Sequence, residues 1–200
     1  MDSYLEEVLY GSGASHYEIF LTGKNNFRKA LYPAYKANRK DLVRPKHLQA
    51  LREYLVEVEG AVISEGQEAD DELGIRQTHE TIICSIDKDL LMIPGRHYNF
   101  VKHEHSQVSN QEGRYNFYRQ LITGDTTDNI PGIYGLGPKK AADLLAGCTT
   151  KEEYNAVVLS AYQREFPHCS DENVIKHINI IGQLLWIRRK ENEVWKFDYS

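Results

Sequence analysis

Three groups of carboxylates are the residues in this 200-residue chain whose types and spacing could do chemistry: Glu68, Asp70 and Asp71; Asp87 and Asp89; Asp125 and Asp128. Each stands where a regular element is expected to begin or end. Asp87 and Asp89 follow the apolar, β-branched run Thr81 to Ile86 directly, so they fall at the carboxyl end of a predicted strand, the edge where open α/β sheets bind ligands. Residues two apart in an extended segment point to the same side, so this pair could share a cation while Lys88 turns away. Asp125 and Asp128, three apart, would face one way on a helical turn. Oxygen-only ligands suit Mg²⁺ or Mn²⁺ rather than zinc. Two such ions, roughly 3.5 to 4 Å apart, can generate a hydroxide and stabilise the leaving oxygen of a phosphodiester. The plainer alternative is that the acids flank strands and cap helices because they are solvated. His103 and His105, on either side of Glu104, read as strand or loop surface ahead of metal ligands.

The charge is segregated. The whole chain carries a net charge of -5, yet Lys24 to Arg52 holds nine Lys or Arg and a single acid, Asp41, while Glu57 to Asp89 holds ten acids against Arg76 and Lys88. A metal-dependent nuclease needs this division, with acids to hold cations and a basic element to hold a phosphate backbone. Within the basic stretch, Phe27-Arg-Lys-Ala-Leu-Tyr-Pro-Ala-Tyr-Lys-Ala-Asn-Arg-Lys40 interleaves aromatics with bases, as a threaded and stacked single strand requires; a solvated basic surface is the alternative. Further on, Gly132, Gly135 and Gly137 lie ahead of a helix expected to start near Pro138, with Lys139 and Lys140 in its first turn. Amides exposed at a glycine turn and a helix N-terminus bind phosphate. No strand precedes this turn, so a helix-hairpin-helix clamp on the DNA backbone fits better than a dinucleotide fingerprint; an ordinary turn between helices is the alternative.

The elements that must position these residues follow from periodicity. Helices are expected over Ser3 to Tyr10, Pro45 to Glu59, Glu68 to Glu80, Gln111 to Thr123, Lys139 to Leu145, Lys151 to Glu165 and Asn173 to Arg189. Strands are expected over Tyr17 to Leu21, Ala61 to Ile63, Thr81 to Ile86 and Asn99 to Lys102, with Val194 to Phe197 as a further candidate. Strands alternating with helices up to about residue 110 predict an α/β sandwich with a mainly parallel sheet. The helical remainder predicts a separate module. The apolar runs are far shorter than the roughly 20 residues of a membrane span, so no membrane partner is expected. The first twenty residues, with four acids, do not read as a secretory signal. Cys84, Cys148 and Cys169 have no zinc or redox spacing and fit a reducing cytoplasm.

Tyr35-Lys-Ala-Asn-Arg39, Glu68-Ala-Asp-Asp71, Ser85-Ile-Asp-Lys-Asp89 and Gly124-Asp-Thr-Thr-Asp-Asn129 with Pro131-Gly-Ile-Tyr-Gly-Leu-Gly-Pro-Lys139 resemble, in order and spacing, the motifs of the 5′ nucleases. That family includes flap endonucleases, the 5′ to 3′ exonuclease domain of bacterial DNA polymerase I and phage exonucleases. The resemblance spans roughly residues 20 to 145, with a weaker likeness of Gly182 to Trp195 to exonucleases of short-tailed phages. It implies a PIN-like, mainly parallel sheet flanked by helices over 1–110, with a basic helical arch at 24–52. It also implies a helix-three-turn-helix DNA-binding module over 111–165 and a C-terminal helix and strand returning to the core over 166–200. By the family's motifs Glu68 and Asp70 belong to a first metal position; Asp71, Asp87, Asp89 and Asp128 belong to a second, with Asp125 nearby. Lys36 and Arg39 correspond to arch bases on the scissile phosphate. Arg28, Lys29, Lys40, Gly132, Gly135, Gly137, Lys139 and Lys140 are the implied DNA contacts, and the glycine turn implies a K⁺ site.

The implied activity is two-metal hydrolysis of DNA at a 5′ end or flap, in replication or repair. Two departures from the motifs temper the first metal position. The family's opening strand, which carries an Asp, has no counterpart before Ser3, and Leu21-Thr-Gly-Lys24 lacks the acid expected at the end of the next strand. The better-formed position is therefore the second. A catalytically impaired binder of branched DNA is the alternative reading, and a PIN-type ribonuclease, which shares the acids without the glycine clamp, is a third.

Overall fold

A computed structural model describes residues 2–40 and 42–198. The described chain falls into two compact units. The first takes in residues 2–27, 42–110 and 187–192; the second takes in 28–40, 111–186 and 193–198. The basic stretch expected as one arch is thus shared between them, with 28–40 grouped with the helices.

In the first unit, helix α1 (Asp2–Ser12) precedes strand β1 (Phe20–Asn26), which pairs in parallel with β2 (Val62–Gly66). Helix α3 (Leu48–Glu57) provides the crossover between them, as parallel pairing demands. Strand β3 (Ile82–Cys84) pairs in parallel with β4 (Gly95–Asn99), and β4 continues antiparallel into β5 (Glu104–Val108). The hairpin β4–β5 replaces the single strand expected at Asn99 to Lys102. Its alternation is masked by polar residues, because β5 is exposed at every position but Val108. Helix α4 (Ala69–Arg76) packs on β1 and β2, and its N-terminus carries the first acid group. Ile83, Leu90, Met92, Ile93 and Tyr98 form the buried centre of this unit.

The second unit begins with α2 (Phe27–Leu31) and a 3-10 turn at Ala37–Arg39, then continues as α5 (Asn110–Thr123), α6 (Pro138–Leu145), α7 (Lys151–Glu165) and α8 (Asp171–Leu185). Its core is Phe117, Leu121, Ile122, Tyr154, Val158, Tyr162, Ile178 and Ile181. Helix α7 starts on a capping box in which the Thr150 hydroxyl accepts from the Glu153 amide at 3.2 Å. The expected strand at Val194 to Phe197 is absent: the segment is pinned instead by side chains, with the Trp195 ring seated on Gly182, where a Cβ would come within 2.0 Å of it. Among the described residues no helix is long and apolar enough to cross a membrane.

Candidate nuclease site

The first acid group sits where β2 turns into α4. Glu68 is the N-cap of that helix and Asp70 lies in its first turn, where carboxylates gain from the helix dipole. Asp71 is fully buried, and both of its oxygens accept main-chain hydrogen bonds: Oδ2 from the Glu68 amide and Oδ1 from the Arg188 amide, each at 3.0 Å. Asp71 therefore braces the corner that presents Glu68 and Asp70. Leu21-Thr-Gly-Lys24, where the motifs lead one to expect another acid, lies inside β1, and the Thr22 hydroxyl accepts from the Ala69 amide at 3.0 Å.

The second group departs from the extended geometry expected for it. Asp87 is the N-cap of a 3-10 turn, Lys88–Met92, and its Oδ1 accepts from the Asp89 amide at 2.9 Å. A short carboxylate one residue ahead of a turn captures the free amide more readily than it continues a strand. Asp87 is exposed and Asp89 half-buried.

The third group lies in the second unit, in a tight loop closed by a β-bridge between Asp125 and Ile130 rather than on a helical turn. Asp125 Oδ1 accepts from the Thr127 amide at 2.8 Å, and Asn129 takes φ 58, which closes the loop. Asp128 receives the basic turn. The Tyr35 hydroxyl donates to it at 3.0 Å, the Lys36 ammonium lies 3.4 Å away, and the Arg39 guanidinium pairs with its other oxygen. A main-chain bond and a side-chain bond reinforce the clasp: the Lys36 amide donates to Asp128 O at 2.8 Å and Asn129 Nδ2 donates to Ala34 O at 2.7 Å. Both cations expected to meet a phosphate are thus gathered on one carboxylate.

The expected DNA contacts divide. Lys29, Lys40, Lys139 and Lys140 are exposed. Arg28 departs from its expected place at the DNA. It is buried, and its guanidinium donates to Leu184 O at 2.8 Å and Trp186 O at 2.7 Å, so it caps the C-terminus of α8. Gly124 and Gly132 stack backbone to backbone: a Cβ on Gly132 would lie 2.2 Å from the Thr123 carbonyl. That close approach, with the Ile133 amide donating to Ile122 O at 2.8 Å, folds the glycine turn back on α5 and delivers Gly137 and Pro138 to the start of α6.

Among the described residues, no three His, Cys, Asp or Glu side chains come together as a group able to hold a metal ion. The donors nonetheless have the right chemistry, since Glu68, Asp70, Asp87, Asp89 and Asp125 offer carboxylate oxygens to a hard divalent cation. Sequence reasoning quoted Tyr35 within a motif without giving its hydroxyl a partner, and gave no place to Gln67, Arg188 and Arg189, which bond the segments that carry the acids. The only signal for the last two was a basic pair ending an apolar run.

An α/β unit with acids at strand and helix ends, joined in sequence to a helical unit with a glycine turn, is the plan of a PIN-like nuclease. No family model matches the chain. Over 149 residues it is 33% identical to flap endonuclease Xni of Shewanella baltica, covering 66% of this chain and 57% of that one. Over 180 residues it is 30% identical to DNA polymerase I of Borreliella burgdorferi, covering 78% of this chain and 20% of that one. The fold matches a bacteriophage T5 5′-exonuclease with bound zinc, with a TM-score of 0.58 at 18% identity over 92% of this chain and 77% of the other. It also matches a T5 flap endonuclease in a pseudo-enzyme-product complex with DNA and metal ions, with a TM-score of 0.57 over 92% of this chain and 75% of the other. The chain belongs to the 5′-nuclease family. It spans about half the length of the Xni relative and a fifth of the polymerase.

Proposed function

We propose that the protein is a divalent-metal-dependent nuclease that hydrolyses DNA phosphodiesters at a 5′ end or flap. The observation that carries this reading is the clasp of Lys36 and Arg39 on Asp128, which puts two phosphate-seeking cations beside a carboxylate of the acid set. Kinship with flap endonuclease Xni supports the choice of reaction.

In this proposal Glu68, Asp70, Asp87 and Asp89 of the first unit would hold Mg²⁺ or Mn²⁺, which would supply a hydroxide and charge neutralisation at the leaving oxygen, and Asp125 and Asp128 of the second unit offer further carboxylates. Lys36 and Arg39 exchange Asp128 for the non-bridging oxygens of the scissile phosphate, where their charge counts most as negative charge develops. Asp128 is thereby freed of its two cations. The Gly132 to Gly137 turn and Lys139 and Lys140 take the duplex backbone through amides and charge, and Lys29 and Lys40 add non-specific attraction. A K⁺ ion at the glycine turn belongs to the same proposal.

The reading is tested by incubating the protein with 5′-flap DNA, blunt duplex and the RNA counterpart of the flap in Mg²⁺ or Mn²⁺, and mapping the products. Cleavage near the base of the DNA flap supports it. Cleavage of RNA alone, or tight salt-sensitive binding without cleavage, overturns it. The second outcome is the alternative of a non-catalytic binder, which the lack of an acid in Leu21-Thr-Gly-Lys24 of β1 favours.

A further inference from the structure

Two acid groups of the first unit, around Glu68 and around Asp87, are about twenty residues apart in sequence and ride on different elements. Any metal site they share requires their spacing to be held. A segment from the far end of the chain bonds both Asp71 in the first group and the end of the turn that carries the second.

Residues 187–192 belong to the first unit. The Arg188 amide donates to Asp71 Oδ1 at 3.0 Å, its guanidinium Nη1 donates to Gln67 Oε1 at 2.8 Å, and Gln67 Nε2 in turn donates to Glu72 Oε1 at 2.8 Å. Gln67 is buried and directly precedes Glu68. The Arg188 guanidinium also lies over the Phe27 ring, 4.1 Å from its centroid, which fixes its plane. The next residue turns to the other acid group: Arg189 Nη2 donates to Met92 O at 2.6 Å, the last residue of the 3-10 turn that Asp87 caps. Gly74 on α4 permits the close approach, since a Cβ there would stand 2.3 Å from Arg188 O.

We infer that Arg188 and Arg189 are positioning residues, a clip that sets the α4 acids Glu68 and Asp70 against the Asp87–Asp89 turn. This rests on the nuclease reading above for the purpose of the spacing, and on the hydrogen bonds alone for its existence. One arm holds Gln67, next to the first acid group, the other holds Met92 at the end of the turn that Asp87 caps, and the shared backbone between adjacent residues couples them. Arginine is required because the planar fork stacks and donates at once, which a lysine ammonium cannot do.

The test compares Arg188→Met and Arg189→Met with Arg96→Met, whose guanidinium bonds Thr81 O elsewhere in the same unit. Both clip variants keep the main-chain bond to Asp71, so docking of the segment survives. Mn²⁺ binding is followed by electron paramagnetic resonance, and flap cleavage by kcat and KM. The clip predicts a loss of about tenfold or more in Mn²⁺ affinity in both clip variants, the range found when partners behind metal ligands are removed. It also predicts a fall in kcat with KM for DNA changed less than about twofold, partial recovery in the Lys variants, and no change in Arg96→Met. Should a Met variant fail to fold, the Lys variants carry the same comparison at smaller amplitude. Mn²⁺ affinity within about twofold of the parent in both clip variants, or an equal loss in Arg96→Met, overturns the clip. Absence of flap cleavage by the parent while the Mn²⁺ differences persist overturns the nuclease reading and leaves the clip standing.

Discussion

Replacing Asp71 by Asn separates a bracing carboxylate from a metal ligand. In the structure Asp71 has no exposed surface and its two oxygens accept the Glu68 and Arg188 amides. Hydrogen bonds to a charged acceptor are worth about 1.5 to 3 kcal/mol each. The Asn amide keeps one oxygen acceptor, loses the charge, and turns an NH₂ group toward an N-H donor. The expected cost is about 3 kcal/mol, or about 6 to 12 °C in Tm at roughly 2 to 4 °C per kcal/mol for a chain of this size. A residue whose only task is to hold a cation behaves oppositely: neutralising one of several crowded acids leaves the metal-free protein as stable as before or more so. The assay is thermal unfolding in EDTA, with Asp87→Asn as reference. Asn caps a helical turn as well as Asp, so that variant is expected within about 0.5 kcal/mol of the parent. An Asp71→Asn protein that melts with the parent in EDTA would refute the reasoning.

Gly132→Ala is expected to destabilise by several kcal/mol or to prevent folding of the second unit, whereas Gly137→Ala, at φ -74 with nothing within 4 Å of its added carbon, is expected to be neutral; chemical denaturation distinguishes them. Lys36→Met with Arg39→Met is expected to lower flap cleavage by at least about a hundredfold while the protein stays folded, because both cations are solvent-accessible; single-turnover rates and circular dichroism check this. Burial holds the imidazoles of His97 and His177 below their ordinary value of 6.5, in His97 against an opposing bond to Ile93 O. Their neutral forms are favoured in the fold, so this contribution is complete above pH 6.5 and is lost as the pH falls from there through the lowered folded values. Gln at both positions is expected to flatten the decline in Tm between pH 7 and 5.

Much of the fold was legible because periodicity and punctuation agreed. Lys151 to Glu165 matches α7 at both ends, since Thr150 and Glu153 spell a capping box, and Pro138 marks the start of α6. The β4–β5 hairpin was not legible, as its exposed second strand shows no apolar alternation. The acid groups were proposed from type and spacing, and their local geometry differs from the expectation twice. Asp87 caps a turn instead of extending a strand, and Asp125 closes a bridge, because short carboxylates bond nearby amides in preference to following the regular element. Arg28 looked like a phosphate contact because charge is visible in sequence and burial is not; two carbonyls at the end of α8 account for it. The Arg188–Arg189 segment ends an apolar run as a basic pair, but its partners Asp71 and Met92 lie about a hundred residues away, so no local pattern shows what it bonds.

The central claim is that these carboxylates hold the cations that drive DNA cleavage. Its most direct test is single-turnover hydrolysis of a 5′-labelled flap in Mn²⁺ by the parent and by the Asp87→Asn, Asp89→Asn double variant, with binding of the same flap measured in Ca²⁺. The account predicts Mn²⁺-dependent cleavage by the parent, lost by at least about a thousandfold in the double variant with flap binding retained. Equal cleavage rates in the two proteins, or cleavage by the parent that persists in EDTA, would contradict it.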